Sequence, residues 1–199
     1  MIILVINSGS SSLKFQLLNM DDESVMAQGQ VEKIGLHEGI FTIKAGGLKN
    51  KKEMEIPDHQ VAMELVLNGL LETKEAGLNS LDEIDAIGHR IVQGGDTFSK
   101  AVLVDDAVHD KIEEYGAMAP LHNPAHLKGI DACSKVMPGK PQVVVFDTAF
   151  HQTMSPVAYT YGLPKEYAEK HRIRRYGAHG TSHKYVSRRV AELMGKPVE

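Results

Sequence analysis

Five apolar residues, Ile2-Ile3-Leu4-Val5-Ile6, run without interruption into Asn7-Ser8-Gly9-Ser10-Ser11-Ser12. A run that is apolar throughout, rather than alternating, predicts a strand buried on both faces, and such strands lie inside sheets covered by helices. The small polar stretch behind it predicts a tight turn. Leu13, Phe15 and Leu17 then alternate with Lys14 and Gln16, predicting a second strand, and Val25 to Val31 predicts a third after Asp21-Asp22. The chain therefore opens as a meander.

A hairpin from Gly39 to Ile43 and from Lys51 to Ile56 is expected next, with Gly46-Gly47 in the connection. The period then changes. Ala62, Leu65, Val66, Gly69 and Leu70 recur at helical spacing and predict an amphipathic helix over Asp58 to Thr73. A strand from Ile84 to Val92 and a helix from Asp105 to Tyr115 follow. Asn123-Pro124 reads as a cap with proline in the first turn, opening a helix that Pro138-Gly139 stops. Gln142 to Phe146 is expected to be a buried strand, and Thr181 to Met194 a helix with Val186, Val190 and Leu193 on its apolar face.

Composition narrows the function classes. A hydrophobic fraction of 42% and a charged fraction of 24% are those of a folded globular protein, not a disordered one. A net charge of -4 gives no general attraction to nucleic acid or an anionic membrane, so neither is expected as a partner. With Cys133 as the single cysteine, no internal disulfide can form, which favours the cytoplasm. The opening apolar run is too short, and lacks a preceding basic residue, for a signal peptide.

Five constellations carry chemistry. Asn7 to Lys14 forms a turn of small residues whose backbone N–H groups, serine hydroxyls and Lys14 ammonium can cradle phosphate oxygens, or whose serines can satisfy their own backbone. Ser11-Ser12-Leu13-Lys14 also fits the S-x-x-K pattern of serine acyl-enzymes, although the accompanying S-D-N and K-T-G elements are missing. Gly88-His89-Arg90-Ile91-Val92-Gln93-Gly94-Gly95 places Arg90 at a strand end, where its planar fork suits a carboxylate or phosphate, or a structural acid.

Pro120-Leu121-His122-Asn123-Pro124-Ala125-His126 leads into a helix N-terminus, whose free amides favour anions. Asp147 follows four apolar residues at a strand end, placed to hold a cation or substrate or to cap the turn. Arg174 to His183 gathers cations, histidines and glycines ahead of a helix. The pairs His122/His126 and His179/His183 raise a zinc alternative, but neither has a third ligand at obvious spacing.

Taken together, N-S-G-S-S-S-L-K-F, G-H-R-I-V-x-G-G, L-H-N-P, V-F-D-T-A-F-H-Q-T-M and R-R-Y-G-x-H-G-T-S-H resemble the acetate kinase family, in family order and from residue 1 to about Met194. The resemblance implies an α/β fold, an actin-like/ribonuclease-H-like mixed β-sheet flanked by helices, which the element order also suits. Residues 1–152 would form an N-terminal actin-like domain, and 153–199 a connecting segment leading to a second, nucleotide-binding domain.

The implied activity is reversible transfer of the ATP γ-phosphoryl group to acetate, giving acetyl phosphate and ADP, with Mg2+ required. Propionate kinase or another short-chain carboxylate kinase is the alternative, as is a noncatalytic anion-binding half-protein. Carried over from the family, Asn7 would help hold the magnesium–phosphate unit, while Ser10, Ser12 and Lys14 would line the phosphate side. Arg90 would grip the acyl carboxylate or the transferring phosphoryl. Asp147 would be the essential acid, His179 would stabilise transition-state charge, and His122 would support the same cleft. Val92 and Leu121 would form the apolar acyl pocket.

Two residues depart from the family pattern. Ala178 stands where the family usually has a phenylalanine of the acyl pocket, which should enlarge or loosen it; Gln93 replaces a frequent histidine. The chain corresponds to the N-terminal half of family members. The G-N-G phosphate loop, the adenosine site, a second arginine and an acidic magnesium partner are therefore expected outside it, and the isolated chain is expected to be inactive. A homodimer is expected for the full-length protein.

Overall fold

The computed structural model describes residues 1–198. Strands β1 (Ile2–Ser8), β2 (Ser12–Asn19), β3 (Ser24–Glu32), β4 (Gly39–Ala45) and β5 (Leu48–Met54) follow one another as an antiparallel meander. The expected Gly46-Gly47 connection joins β4 to β5, with both glycines at positive φ. Helix α1 (His59–Glu72) then crosses over, and β6 (Ala86–Ile91) returns parallel to β1.

A short edge strand β7 (Val102–Leu103) precedes helices α2 (Asp106–Glu114) and α3 (Asn123–Val136). Strand β8 (Gln142–Phe146) inserts between β6 and β7, parallel to β6. The sheet order is β5-β4-β3-β2-β1-β6-β8-β7. Beyond it lie α4 (Pro156–Tyr159), α5 (Lys165–Lys170) and α6 (Gly180–Met194).

Helix starts follow local chemistry. Asp58 and Asp105 stand in extended backbone ahead of α1 and α2, and each carboxylate accepts a first-turn amide, from Val61 at 2.9 Å and from Val108 at 2.8 Å. Helices α1 and α3 pack together on one face of the sheet. Leu4, Ile6, Leu13, Phe15, Leu17, Val31, Phe41 and Ile87 meet Met63, Val66, Leu70 and Cys133 there. A second cluster, with Phe98 and Phe146 stacked 4.2 Å apart beside Tyr115, Ile112 and Ile130, packs the β8 side. Gly95 turns the chain over that cluster at φ 59°, with the Tyr115 ring where a side chain would stand.

Burial of β1 on both faces does not hold. Leu4, Ile6 and Ser8 are buried against the helices, whereas Ile3, Val5 and Asn7 are only half-buried, and β8 alternates in the same way. The reason is that the second face bears only the first turn of α6 at its edge among the described residues, leaving an open cavity of about 850 Å³. The expected apolar face of α6 is likewise uncovered, with Val186, Val190 and Leu193 all exposed.

Candidate functional site

Strands β1, β6 and β8 run in the same direction, so their C-terminal ends meet at one edge of the sheet. Pairing of β1 with β6 ends at Ile6 and His89, and the next residues, Asn7 and Arg90, both point to the open face. Lys14, directly opposite Asn7 on β2, lines the same cavity, as do Thr181, Val5, Val143 and Val145. Three of the site residues expected from sequence, Asn7, Lys14 and Arg90, thus share one cavity built on an open sheet face.

Arg90 makes a fork with Asp147, Nε to Oδ1 at 3.1 Å and Nη2 to Oδ2 at 2.6 Å. The Asp147 side chain is 3% exposed and the Arg90 side chain 35%. Both carboxylate oxygens therefore serve the guanidinium, which keeps its remaining N–H donors for the cavity. The Arg90 alternative of a structural acid partner is realised, and that acid is Asp147.

The Asp147 backbone also fastens α6. Its carbonyl accepts the Gly180 N–H at 2.8 Å, and Thr181 Oγ1 lies 3.5 Å from Oδ1. Position 180 admits only glycine in this geometry, since a Cβ there would stand 2.2 Å from that carbonyl oxygen. His179 immediately precedes this contact, in left-handed backbone at φ 55° and exposed.

The remaining expected residues do not line this cavity, and Ser10 instead lines a separate hollow with Asp58, His59 and Lys128. Ser10 is exposed in the turn after β1, and Ser12 begins β2. Exposed His122 stacks at 6.3 Å on buried His126. Val92 is half-buried, Leu121 is 78% exposed and Ala178 is exposed; none of the three lines the open-face cavity, so the acyl pocket is not enclosed by this chain's described residues. The Ala178 carbonyl accepts from His151 Nε2 at 2.9 Å. Gln93 Oε1 accepts the Gly95 N–H at 2.9 Å, so this departure holds the glycine turn.

Three readings from the sequence change. The amides at the start of α3 are not free for an anion: Asn123, Ala125 and His126 donate to the carbonyls of Ala119 and His122, and the buried Asn123 side chain bridges Gln93 and Ile112. The zinc alternative has no support, because the one three-ligand cluster among the described residues is His109, Asp110 and Glu113 on α2, away from both histidine pairs. Lys14 lines the open-face cavity whereas Ser11 stands exposed in the turn outside it, so the structure gives no support to a serine acyl-enzyme.

Sequence reasoning gave no such role to four contributors. Thr181 was hidden inside a motif chosen for its charges. Thr148 accepts the Gly94 N–H at 3.1 Å, tying the double-glycine turn to the β8 end. His59 and His126 approach the turn after β1 from two helices; His126 belongs to the Pro120–His126 motif, whereas no local pattern marks His59.

A sheet with a five-stranded meander, a parallel extension and polar groups at the ends of β1, β6 and β8 defines an actin-like/ribonuclease-H-like domain. The chain belongs to the Acetokinase family, whose profile matches residues 2–199. It is 56% identical over 198 residues to an acetate kinase of Desulfitobacterium hafniense and 54% identical over 197 residues to one of Thermotoga petrophila, covering 99% of this chain in each case.

Among solved structures, Porphyromonas gingivalis acetate kinase superposes with a TM-score of 0.93 at 47% identity, covering 99% of this chain and 50% of that one. A propionate kinase of Francisella tularensis gives 0.91 at 45%, covering 98% and 49%. The chain spans about half the length of the curated relatives it matches, 50% and 49% for the two named.

Proposed function

We propose that this chain supplies the acyl-substrate and phosphate side of a short-chain carboxylate kinase of acetate kinase type, which transfers the ATP γ-phosphoryl group reversibly to acetate. The observation that carries the reading is the Arg90–Asp147 fork at the cavity edge shared with Asn7 and Lys14. In this reading residues 1–152 form the actin-like domain and 153–199 lead toward a nucleotide-binding half. The full-length protein acts in the cytoplasm as a homodimer.

Acetate has a pKa in the carboxylate range, roughly 4 to 5, and is already ionised at neutral pH, so no general base is needed. The barrier lies in bringing two anions together, and positive charge with fixed geometry lowers it. Arg90 holds the carboxylate or the transferring phosphoryl, Lys14 adds charge on the phosphate side, and His179 meets the charge that develops in transfer. Asp147, with both oxygens bound to Arg90, orients the guanidinium rather than removing a proton. His122 supports the cleft, and Val92, Leu121 and Ala178 give the acyl group its apolar wall once the other half closes over them.

The donors fit magnesium that keeps most of its water. Asn7 offers a neutral amide oxygen at the cavity, and the Asp147 carboxylate adjoins that cavity through its fork with Arg90. Bound there, the ion would offset phosphate charge, with Asn7 holding it and Ser10 and Ser12 lining the phosphate beside it.

The test is a chimera joining this chain to the second half of the Thermotoga petrophila relative, assayed with MgATP and hydroxylamine trapping of acyl phosphate. The chimera is expected to be active, the 199-residue chain alone inactive, and Arg90→Ala in the chimera to lose about 10²- to 10³-fold. Activity indifferent to Arg90→Ala would defeat the reading. The propionate kinase likeness and Ala178 favour a wider acyl range, so the same assay is expected to show propionate turned over well relative to acetate, and Ala178→Phe to shift the ratio back.

A further inference from the structure

The turn between β1 and β2 is held by its carbonyls rather than by its side chains. Ser8 O accepts from His126 Nδ1 on α3 at 2.6 Å, and Gly9 O from His59 Nε2 on α1 at 2.7 Å. Ser11 O accepts the Ile34 N–H at 2.9 Å, and Ser12 O the Gly9 N–H at 2.7 Å. A carbonyl can only accept, so these contacts place the proton on His126 Nδ1 and on His59 Nε2. Both rings are buried, at 4% and 6% exposure, and come from helices more than a strand's length away along the chain.

A trans peptide group points its N–H opposite to its C=O. Drawing Gly9 O toward α1 therefore turns the Ser10 N–H away from His59, while drawing Ser8 O toward α3 turns the Gly9 N–H onto Ser12 O and closes the base of the turn that carries Ser10 and Ser11. The Ser10 and Ser11 amides have no protein acceptor among the described residues and both residues are exposed. Ser10 and Ser11 thus offer an anion two adjacent amide donors, in a turn whose Ser8, Gly9, Ser11 and Ser12 carbonyls are occupied elsewhere. His126 Nε2 is itself buried without a partner, and burial, with Arg90 and His122 nearby, lowers its pKa to about 4. The ring is thus a neutral donor, adding no charge of its own.

We propose that His59 and His126 are positioning residues that clamp successive peptide carbonyls of the Asn7–Lys14 turn, presenting the Ser10 and Ser11 amides to a phosphate group. The proposal rests on the phosphate role given to this turn above. It assigns a function to two helical histidines that touch neither substrate nor metal, through main-chain orientation alone.

The test is an NMR titration of the 199-residue chain with sodium phosphate at constant ionic strength, read at the Ser10 and Ser11 amides. Loss of either donor in His59→Phe or His126→Phe is expected to weaken phosphate binding about tenfold, the size of one net hydrogen bond. His59→Gln and His126→Asn, whose amides carry N–H at the matching atom, are expected to keep binding within about twofold of the original.

If the phenylalanine variants do not fold, His59→Asn and His126→Gln carry the donor at the wrong reach and are expected to lose binding instead. Thermal unfolding run alongside separates stability from binding, since a merely structural role would move the unfolding temperature and leave the phosphate affinity unchanged. Unchanged affinity in folded, donor-displaced variants overturns the clamp and leaves the phosphate turn standing. No response of the Ser10 and Ser11 amides in the original chain overturns the phosphate turn, and the clamp with it.

Discussion

His89 and His126 are uncharged in the folded chain. Burial pushes the His89 pKa down to about 4 and that of His126 to about 4, with His126 also disfavouring charge on His89, and Arg90 and His122 disfavouring it on His126. His89 Nε2 sits 2.7 Å from Gln142 Oε1; Gln142 Nε2 donates to Ser134 Oγ at 2.7 Å, and that hydroxyl donates to Ile130 O at 3.1 Å. The direction of this chain fixes His89 as a donor.

In the unfolded chain both groups titrate near 6.5, so the unfolded state binds more protons between about 6.5 and 4. Depressed folded values mean that their stabilisation is complete above the unfolded pKa and is lost as pH falls toward the folded one. The expected outcome is a urea midpoint that is flat from pH 8 to 7 and falls below 6.5, with a slope approaching 2–3 kcal/mol per pH unit for about two protons. A level profile down to pH 5 would show that one or both rings are charged in the fold.

Among the elements, α6 is the least anchored. Only Gly180 and Ala191 of its residues are buried, and its start hangs on the Asp147 carbonyl. Gly180→Ala drives a methyl into that carbonyl and is expected to release the first turn of α6, costing about 1–2 kcal/mol locally. Hydrogen exchange should then rise in α6 and the Asp147 loop while α1 and β1 to β6 keep their protection; unaltered α6 exchange would mean that other contacts hold it.

Most elements were legible in the sequence because their periods were strong. The Leu13-Phe15-Leu17 alternation and the Ala62 to Leu70 stripe became β2 and α1 within a residue or two of the expected ends. Strand β7 was not, since a two-residue edge strand has no period to read. The apolar run of β1 gave the strand but not its half-open face, because a run of isoleucines does not say what lies on each side. Arg90 and Asp147 stood out as charges at strand ends, whereas their fork depends on β8 lying beside β6, and His59 and His126 look like any helical histidines until the turn is seen against them.

At the scale of the whole molecule, packing is unevenly distributed. The described core residues lie in 1–152 with Ala191 the sole exception, while Val157, Tyr161, Leu163, Tyr167 and the outer face of α6 remain exposed. Exchange of amides in 153–198 is expected to be faster than in the strands of 1–152 throughout, as few buried contacts oppose local opening. Uniform protection across residue 152 would argue against dividing the chain there.

One hydrogen bond sets an order of events in biosynthesis. Ser8 and His126 are 118 positions apart, and at about 5–20 residues per second the ribosome adds the second roughly 6–24 seconds after the first. The hairpin can close early from its own strands, but until α3 has been made its Ser8 carbonyl is free to turn. On the phosphate role proposed for the turn, nascent chains in that interval would hold an anion poorly, and that capacity would be acquired late in translation although its loop is made first.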